Sequence, residues 1–219
     1  MQTRGLLYEE LNQLRRELAL MAARVEEDLG KAIAILRSGG KELIEEVKKS
    51  GQIVDALQLK IEDMALVLIA TQQPVARDLR ELVMVLKTAS NLERIGDYGI
   101  HLVKAAAKFS NRPHFRSMDR IENMAEIGQE MLRLSIAAYL AKDAEAARSA
   151  AALDDKIDSE HKALTEEVLS LMKKHPELIK AAARLLKLSG YMERLGDHIT
   201  NICEGIIYMI DGRREDLNN

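Results

Sequence analysis

The sequence contains one acidic pentad twice, with a spacing suited to binding a cation. Glu-Arg-Ile-Gly-Asp at 93–97 recurs 100 residues later as Glu-Arg-Leu-Gly-Asp at 193–197. On a helix, residues four apart lie one turn apart on the same side, so each pentad pairs two carboxylates. Such carboxylates repel each other unless a cation lies between them, and their oxygens suit hard divalent cations and iron. The pattern therefore predicts two metal sites, one on Glu93 and Asp97 and one on the equivalent pair.

The segment around the second pentad separates its polar residues from an apolar stripe. At about 100° per residue, four polar side chains fall within an arc of about 80°, namely Glu193, Asp197, Asn201 and Glu204. The stripe lies nearly opposite and comprises Leu185, Leu188, Met192, Leu195, Ile199, Ile202, Ile206 and Met209. We expect the polar group to face outward from its own bundle and to bind the metal. Asp158 or Asp154 joins it if the preceding helix packs alongside in the antiparallel direction that short connections favour.

A solvated acidic surface is the alternative interpretation of these pentads. Arg94 and Arg194 neighbour the acids and could pair with them weakly. The repetition of the pentad favours a ligand, and so do its glycines. Gly96 and Gly196 each cost about 1 kcal/mol relative to alanine inside a helix, which indicates a close approach of another helix or of a ligand. His101 adds a nitrogen beside the first pentad, and its alternative role is that of an ordinary polar helix residue.

The elements that must position these residues are helices. The chain has 219 residues, of which 47% are hydrophobic and only 3% aromatic, and the scarcity of strand-forming aromatics excludes a β-rich fold. A net charge of −3 argues against a general nucleic-acid binder. A single cysteine, Cys203, excludes an internal disulfide and a cysteine-based metal cluster.

Prolines and a glycine pair mark four breaks in the helical periodicity. The breaks fall at Gly39-Gly40, Pro74, Pro113 and Pro176, and the predicted helices span 6–38, 41–72, 74–109, 117–141, 144–174 and 176–211. Because the pentads repeat, we read two copies of one three-helix unit. We therefore predict an all-α fold of two tandem three-helix bundles related by an internal repeat, residues 1–111 and 112–219.

No segment is long and apolar enough to suggest a membrane span. The longest apolar run, 64–70, is too short to cross a bilayer, and residues 1–16 contain no apolar stretch of signal-peptide length. We expect a cytoplasmic protein.

Beyond these patterns, the sequence resembles the PhoU family of phosphate-uptake regulators. The resemblance rests on Gln-Pro-Val-Ala-Arg-Asp-Leu-Arg at 73–80, on both pentads, and on Asn-Ile-Cys-Glu-Gly-Ile-Ile-Tyr at 201–208. It covers essentially the whole chain. It implies the fold derived above, two three-helix bundles related by a repeat.

The resemblance also implies a function without catalysis. Family members restrain phosphate uptake and phosphate-starvation signalling when phosphate is ample. The implied partners are the ATPase subunit of the phosphate ABC transporter and a phosphate-sensing histidine kinase, met at the inner face of the membrane. We accordingly expect a negative regulator or adaptor that is peripheral to the plasma membrane through its partners, forms a homodimer and binds no nucleic acid.

The family's acidic motif implies a metal ion and its ligands. The implied cofactor is a divalent or ferric ion such as iron, zinc, magnesium or manganese. Carried over by matching position, the motif residues are Glu93, Asp97, Glu193 and Asp197, with Asp55 and Asp158 at acidic positions of the second and fifth helices. Gly51 stands where the family frequently has an acid, whereas the second copy keeps Asp154. The first site is therefore expected to be poorer in carboxylates.

Two other functions stay open at this point. Asp158 and His161 form an Asp-x-x-His that resembles half of a di-iron carboxylate site, which would make the chain a metal-storing or di-iron helical-bundle enzyme. That reading requires a second such motif, which the sequence lacks, and buried carboxylates. The other alternative is a plain helical scaffold that binds no metal specifically.

Overall fold

The chain folds into long helices joined by short turns. The computed structural model describes residues 2–38, 41–106 and 116–218, and no strand occurs within these ranges. In order, the elements are α1 (Gln2–Ser38), α2 (Lys41–Gln72), α3 (Ala76–Ala106), α4 (Arg116–Ala141), α5 (Ala144–Ala151), α6 (Asp154–Lys174), a 3₁₀ turn (Pro176–Leu178) and α7 (Ile179–Asp211). The predicted all-α fold with six long helices is confirmed, with one correction to the fifth helix.

The predicted helix 144–174 is wrong in one respect, because the structure divides it into α5 and α6. Ala152 still bonds to the carbonyl of Arg148 four residues back, whereas Leu153 bonds to that of Ala150 three residues back. This tighter bond turns the chain before α6 begins at Asp154. Neither proline nor glycine marks the turn, so periodicity alone could not reveal it.

The other predicted boundaries differ by only a few residues. The third helix begins at Ala76 rather than at 74. Gln73 and Ala76, which lie on either side of the turn before this helix, have φ angles of 46° and 47°. The segment predicted to be helical from 176 opens with the 3₁₀ turn before α7 starts. The predicted breaks at 39–40 and at Pro113, and the predicted helical residues 107–109, lie outside the described residues.

The helices form two bundles, each with an apolar interior. In the first repeat, α1, α2 and α3 all pack on one another, and in the second repeat α4 and α7 pack on each other and on both α5 and α6. Every residue of the predicted α7 stripe is at most 1% exposed: Leu185, Leu188, Met192, Leu195, Ile199, Ile202, Ile206 and Met209. None of the described helices combines the length and the hydrophobicity that crossing a membrane requires.

The two repeats meet mainly along α3 and α7, with α1 against α4 as a second contact. His198 Nδ1 donates to Asn91 Oδ1 over 2.8 Å. In the internal repeat, the position equivalent to His198 is Tyr98 and the position equivalent to Asn91 is Tyr191. These two tyrosines also lie together, with ring centroids 5.8 Å apart. α3 and α7 are therefore antiparallel and related by an approximate two-fold axis. The predicted division between residues 111 and 112 lies outside the described ranges and stays a prediction.

Candidate functional site

Acidic residues of the second repeat lie together where α6 passes α7. Glu193 and Asp197 are one turn apart on α7, and Asp154 and Asp158 are one turn apart at the start of α6. The pKa of Asp154 is raised to about 7, mainly by burial and also by the negative charges of Asp158, Asp197 and Glu193, against the opposing effect of a hydrogen bond from Thr200. The four carboxyl groups are therefore close enough to repel one another. We call them the acidic cluster.

The carboxyl group of Asp154 is only half satisfied. Thr200 Oγ1 donates to Asp154 Oδ2 over 3.0 Å. Asp154 Oδ1 is buried and has no hydrogen-bond partner within the described part of the chain. Leaving a buried acceptor unpaired costs about 1–3 kcal/mol, which a proton or a bound cation would recover.

Gly196 admits this carboxyl group to the surface of α7. A Cβ at position 196 would overlap Asp154 Oδ1 and lie 3.1 Å from Asp154 Cγ. The glycine in the pentad is therefore required by the approach of α6. The close approach that a mid-helix glycine indicates is made here by an acidic side chain.

No basic side chain neutralises the acidic cluster directly. Within the described ranges, no lysine, arginine or histidine nitrogen lies within 4.0 Å of its carboxylate oxygens. Burial raises the pKa of Glu193 and of Asp197, and the charge of Asp197 adds to the first shift and that of Asp158 to the second. Arg194 opposes both shifts from a distance, together with His161 for Glu193 and His198 for Asp197. A cavity of about 210 Å³ is lined in part by Asp154, Asp158 and Asp197, and also by Arg148, whose guanidinium group is paired with other acids, namely Glu145, Asp211 and Glu215. The cluster thus combines excess negative charge with adjacent space.

The remaining residues of the predicted arc lie elsewhere. Asn201 is exposed, and its Nδ2 donates to the backbone carbonyl of Asp197 over 2.9 Å. Glu204 Oε1 accepts the backbone N–H of Leu217 over 2.8 Å, which fastens the C-terminal segment to α7. Both side chains line a separate cavity between α3 and α7. Over the residues that the structure describes, no three Asp, Glu, His or Cys side chains converge as a closed ligand set.

The first pentad differs because it holds its own counter-ion. Arg94 Nε lies 3.4 Å from Glu93 Oε2, and Arg94 Nη1 lies 3.9 Å from Asp97 Oδ2. Burial raises the pKa of Glu93, with Arg94 opposing the shift and Asp97 and Asp55 adding to it. Asp55 is therefore near the pentad, although its side chain is exposed. The first copy brings together three predicted acids with an arginine beside them.

An apolar contact in the first repeat replaces the polar contact of Asp154. Position 51, which corresponds to Asp154, is a glycine whose Cβ would lie 2.6 Å from Ile100 Cδ1. Ile100 in turn corresponds to Thr200. Sequence reasoning identified the Gly51–Asp154 difference but missed Thr200. A comparison of the repeats at an offset of 100 could have found it, because a hydroxyl replaces a large apolar side chain there.

His101 lies at the contact between the repeats. Its Nδ1 donates to the backbone carbonyl of Asp97 over 2.7 Å, since a carbonyl oxygen can only accept. Its ring centroid is 4.8 Å from that of Tyr191. The structure therefore places this imidazole beside α7, bonded to the backbone of the pentad rather than to its carboxylates.

Comparison with known proteins agrees with the duplicated architecture. The family model described as the PhoU domain matches the chain twice, at residues 18–106 and 121–206. A phosphate-specific transport system accessory protein PhoU homolog from Clostridium acetobutylicum is 32% identical over 99% of this chain and 100% of its own length. The homolog of the same name from Deinococcus radiodurans is 32% identical over 89% of this chain and 92% of its own.

Solved structures show the same arrangement of helices. The phosphate transport system regulatory protein PhoU from Streptococcus pneumoniae superposes with a TM-score of 0.88 at 29% identity, covering 96% of this chain and 99% of that one. PhoU from Pseudomonas aeruginosa superposes with a TM-score of 0.90 at 26% identity, covering 94% and 99%. With two domain matches and relatives aligned over nearly their full length, the chain belongs to the PhoU family.

Proposed function

We propose that this protein is an accessory regulator of phosphate transport that represses uptake and phosphate-starvation signalling when phosphate is ample. The observation that carries the proposal is the double PhoU-domain match, together with full-length relatives named as accessory to the phosphate-specific transport system. These relatives are named as accessory or regulatory proteins, which favours regulation over catalysis. Deletion of the gene should raise alkaline phosphatase activity and phosphate uptake in phosphate-rich medium. Unchanged levels in a strain without a second copy would contradict the proposal.

The proposed partners are the ATPase subunit of the phosphate ABC transporter and a phosphate-sensing histidine kinase. Association with them would hold the protein at the inner face of the membrane, and we propose that it acts as a homodimer. Pull-down from the host, with and without phosphate, should recover both partners in a phosphate-dependent manner. Light scattering of the purified chain should give the mass of a dimer, and a monomer would contradict that part of the proposal.

The acidic cluster is the proposed binding site for a divalent or ferric ion. Asp154, Asp158, Glu193 and Asp197 would hold it. Three features support this: the unpartnered Asp154 oxygen, the absence of a direct basic partner within the described chain, and the adjacent cavity. A bound cation would offset the mutual repulsion of the carboxylates and satisfy that oxygen. Glu93, Asp97 and Asp55 form a weaker candidate, because Arg94 already supplies positive charge there.

Metal-dependent melting separates a cation site from a solvated acidic surface. After chelation, adding iron, zinc, magnesium or manganese should raise the melting temperature by about 5 °C at saturating concentration, because the ion binds only the folded chain. The variant Glu193→Gln with Asp197→Asn should lose most of this rise. The matched variant Glu93→Gln with Asp97→Asn should retain it. Equal rises in the wild type and the Glu193→Gln, Asp197→Asn variant would show that the acidic cluster is ordinary surface.

A further inference from the structure

The contact between α3 and α7 is flanked by two clefts that the internal repeat relates to each other. The first, which we call the mixed cleft, is lined by Met84, Lys87, Asn91, Asn201 and Glu204, among others. An offset of 100 converts these positions into Arg184, Lys187, Tyr191, His101 and Lys104. All five of the latter line the second cleft, which we call the basic cleft. The two clefts therefore occupy equivalent places with different chemistry.

The basic cleft has gained cations where the mixed cleft has neutral or acidic side chains. Arg184 stands in the place of Met84, and Lys104 stands in the place of Glu204. Both clefts have a lysine at the third of these positions, which is Lys187 in the basic cleft. Among the described residues, no acidic side chain lines the basic cleft. Three basic groups thus face one cavity of about 280 Å³.

These cations lack acidic partners within the described residues. Arg184, Lys104 and Lys187 make no ion pair within 4.0 Å there, and each is exposed. Lys187 Nζ lies 5.6 Å from the centroid of the Tyr191 ring, which holds its ammonium group over the cleft wall. The Tyr191 hydroxyl makes no hydrogen bond to the described part of the chain. Three like charges and a free phenol donor are a set that an anion would satisfy.

We infer that the basic cleft binds a small multivalent oxyanion of the phosphate class. A guanidinium group donates two parallel hydrogen bonds to such an oxyanion, and ammonium groups add charge on either side. The cavity is at the lower end of the size range of small-molecule sites, so it suits a compact anion. This inference does not rest on the proposed function, because it follows from the charges of the cleft alone.

Equilibrium binding to the full chain tests the inference. Inorganic phosphate, pyrophosphate and sulfate are titrated separately in the presence of a chelator, so that no metal in the acidic cluster can hold the anion. We expect saturable binding with one high-affinity site, tightest for pyrophosphate. Equal affinity for phosphate and sulfate would still identify an oxyanion site, whereas the absence of saturable binding for all three anions would overturn the inference.

The internal repeat supplies the variant. Arg184→Met with Lys104→Glu installs the residues of the mixed cleft and should weaken pyrophosphate binding at least tenfold. Lys173→Met with Lys49→Glu makes the same change in net charge at exposed positions elsewhere and should leave the affinity within twofold. Equal weakening by both variants would show non-specific charge attraction and overturn the inference. Arg184→Lys keeps the charge but removes the paired donors, so it should weaken binding less than the double variant.

Discussion

The glycines of the two pentads occupy equivalent positions and contact different neighbours. A Cβ at position 96 would lie 3.7 Å from Val54 Cγ1 and 3.8 Å from Val25 Cγ2, which are ordinary contacts. A Cβ at position 196 would overlap the carboxyl group of Asp154. Position 96 therefore has room for a methyl group in the first repeat, whereas position 196 must be glycine to accommodate a polar side chain in the second.

This difference predicts opposite effects of the same substitution. Gly96→Ala should raise the free energy of unfolding by about 0.5–1 kcal/mol, because alanine is the better helix former and its methyl group fits. Gly196→Ala should bring no gain, or a loss of about 1 kcal/mol, because Asp154 must move from its place beside Thr200. Urea unfolding followed by circular dichroism measures both. An equal rise in the two variants would show that Asp154 has no fixed place against α7.

At the scale of elements, one buried carboxylate ties α1, α3 and the end of α4 together. Glu81 on α3 is 3% exposed and accepts two hydrogen bonds from Arg15 on α1, over 2.6 and 2.7 Å. The Tyr139 hydroxyl donates to it over 3.4 Å, and Lys142 Nζ lies 3.7 Å away. Burial alone would raise the pKa of Glu81, but the hydrogen bonds and charge of Arg15, with Lys142, outweigh it and lower the pKa below its ordinary value.

The lowered pKa predicts how stability depends on pH. A carboxyl group with a lower pKa in the folded state contributes stability above its unfolded pKa, and this contribution is lost as the pH falls through the folded value. Glu81→Gln should therefore lower the free energy of unfolding by about 2–3 kcal/mol at neutral pH. This difference in the free energy of unfolding between the variant and the wild type should become smaller as the pH falls below 4.5, the ordinary pKa of a glutamate carboxyl group.

Urea titrations over a series of pH values measure this difference. Glu45→Gln is the control, because Glu45 is an exposed residue whose partner among the described residues is Lys48, one turn away, and it should have no measurable effect. A gap between Glu81→Gln and the wild type that stays constant down to acid pH would contradict an ionised Glu81 in the folded state.

The helices were predictable to the extent that local patterns determine them. Repeated apolar spacing predicted α7 and its buried stripe, and the pentad repeat predicted the duplication. The turn at Ala152 and Leu153 was not predictable, because both residues keep helical backbone angles and no breaker marks them. The pairing of Thr200 with Asp154 depends on how α6 meets α7, and that of Arg94 with the first pentad, which the sequence offered only as an alternative, depends on side-chain orientation. Neither the packing of two helices nor the orientation of a side chain can be derived from the periodicity of the sequence.

At the scale of the whole molecule, the contacts between the repeats are extensive and partly polar. α3 packs along α7 and α1 along α4, and the carboxylate of Glu81 joins Arg15 in the first repeat to Tyr139 and Lys142 in the second. These contacts should make the repeats unfold as one unit. Cys203, the single cysteine, is buried in the second repeat, and burial, with the charges of Glu204 and Asp154 adding to it, raises the pKa of its thiol to about 12. We therefore expect thiol reagents to label Cys203 only when the second repeat opens.

A cavity in the first repeat should therefore expose the thiol in the second. Ile61 on α2 is fully buried, and α2 packs on α1 and α3. Ile61→Ala should lower the free energy of unfolding by about 2–4 kcal/mol. The free energy of opening measured by thiol labelling of Cys203 should fall by the same amount. Leu164→Ala is the control, because Leu164 is fully buried on α6 of the second repeat, which also contains Cys203. It should lower both the free energy of unfolding and the free energy of opening at Cys203, whether or not the two repeats are coupled. If Ile61→Ala left Cys203 labelling unchanged while circular dichroism resolved two transitions, the repeats would be independent folding units.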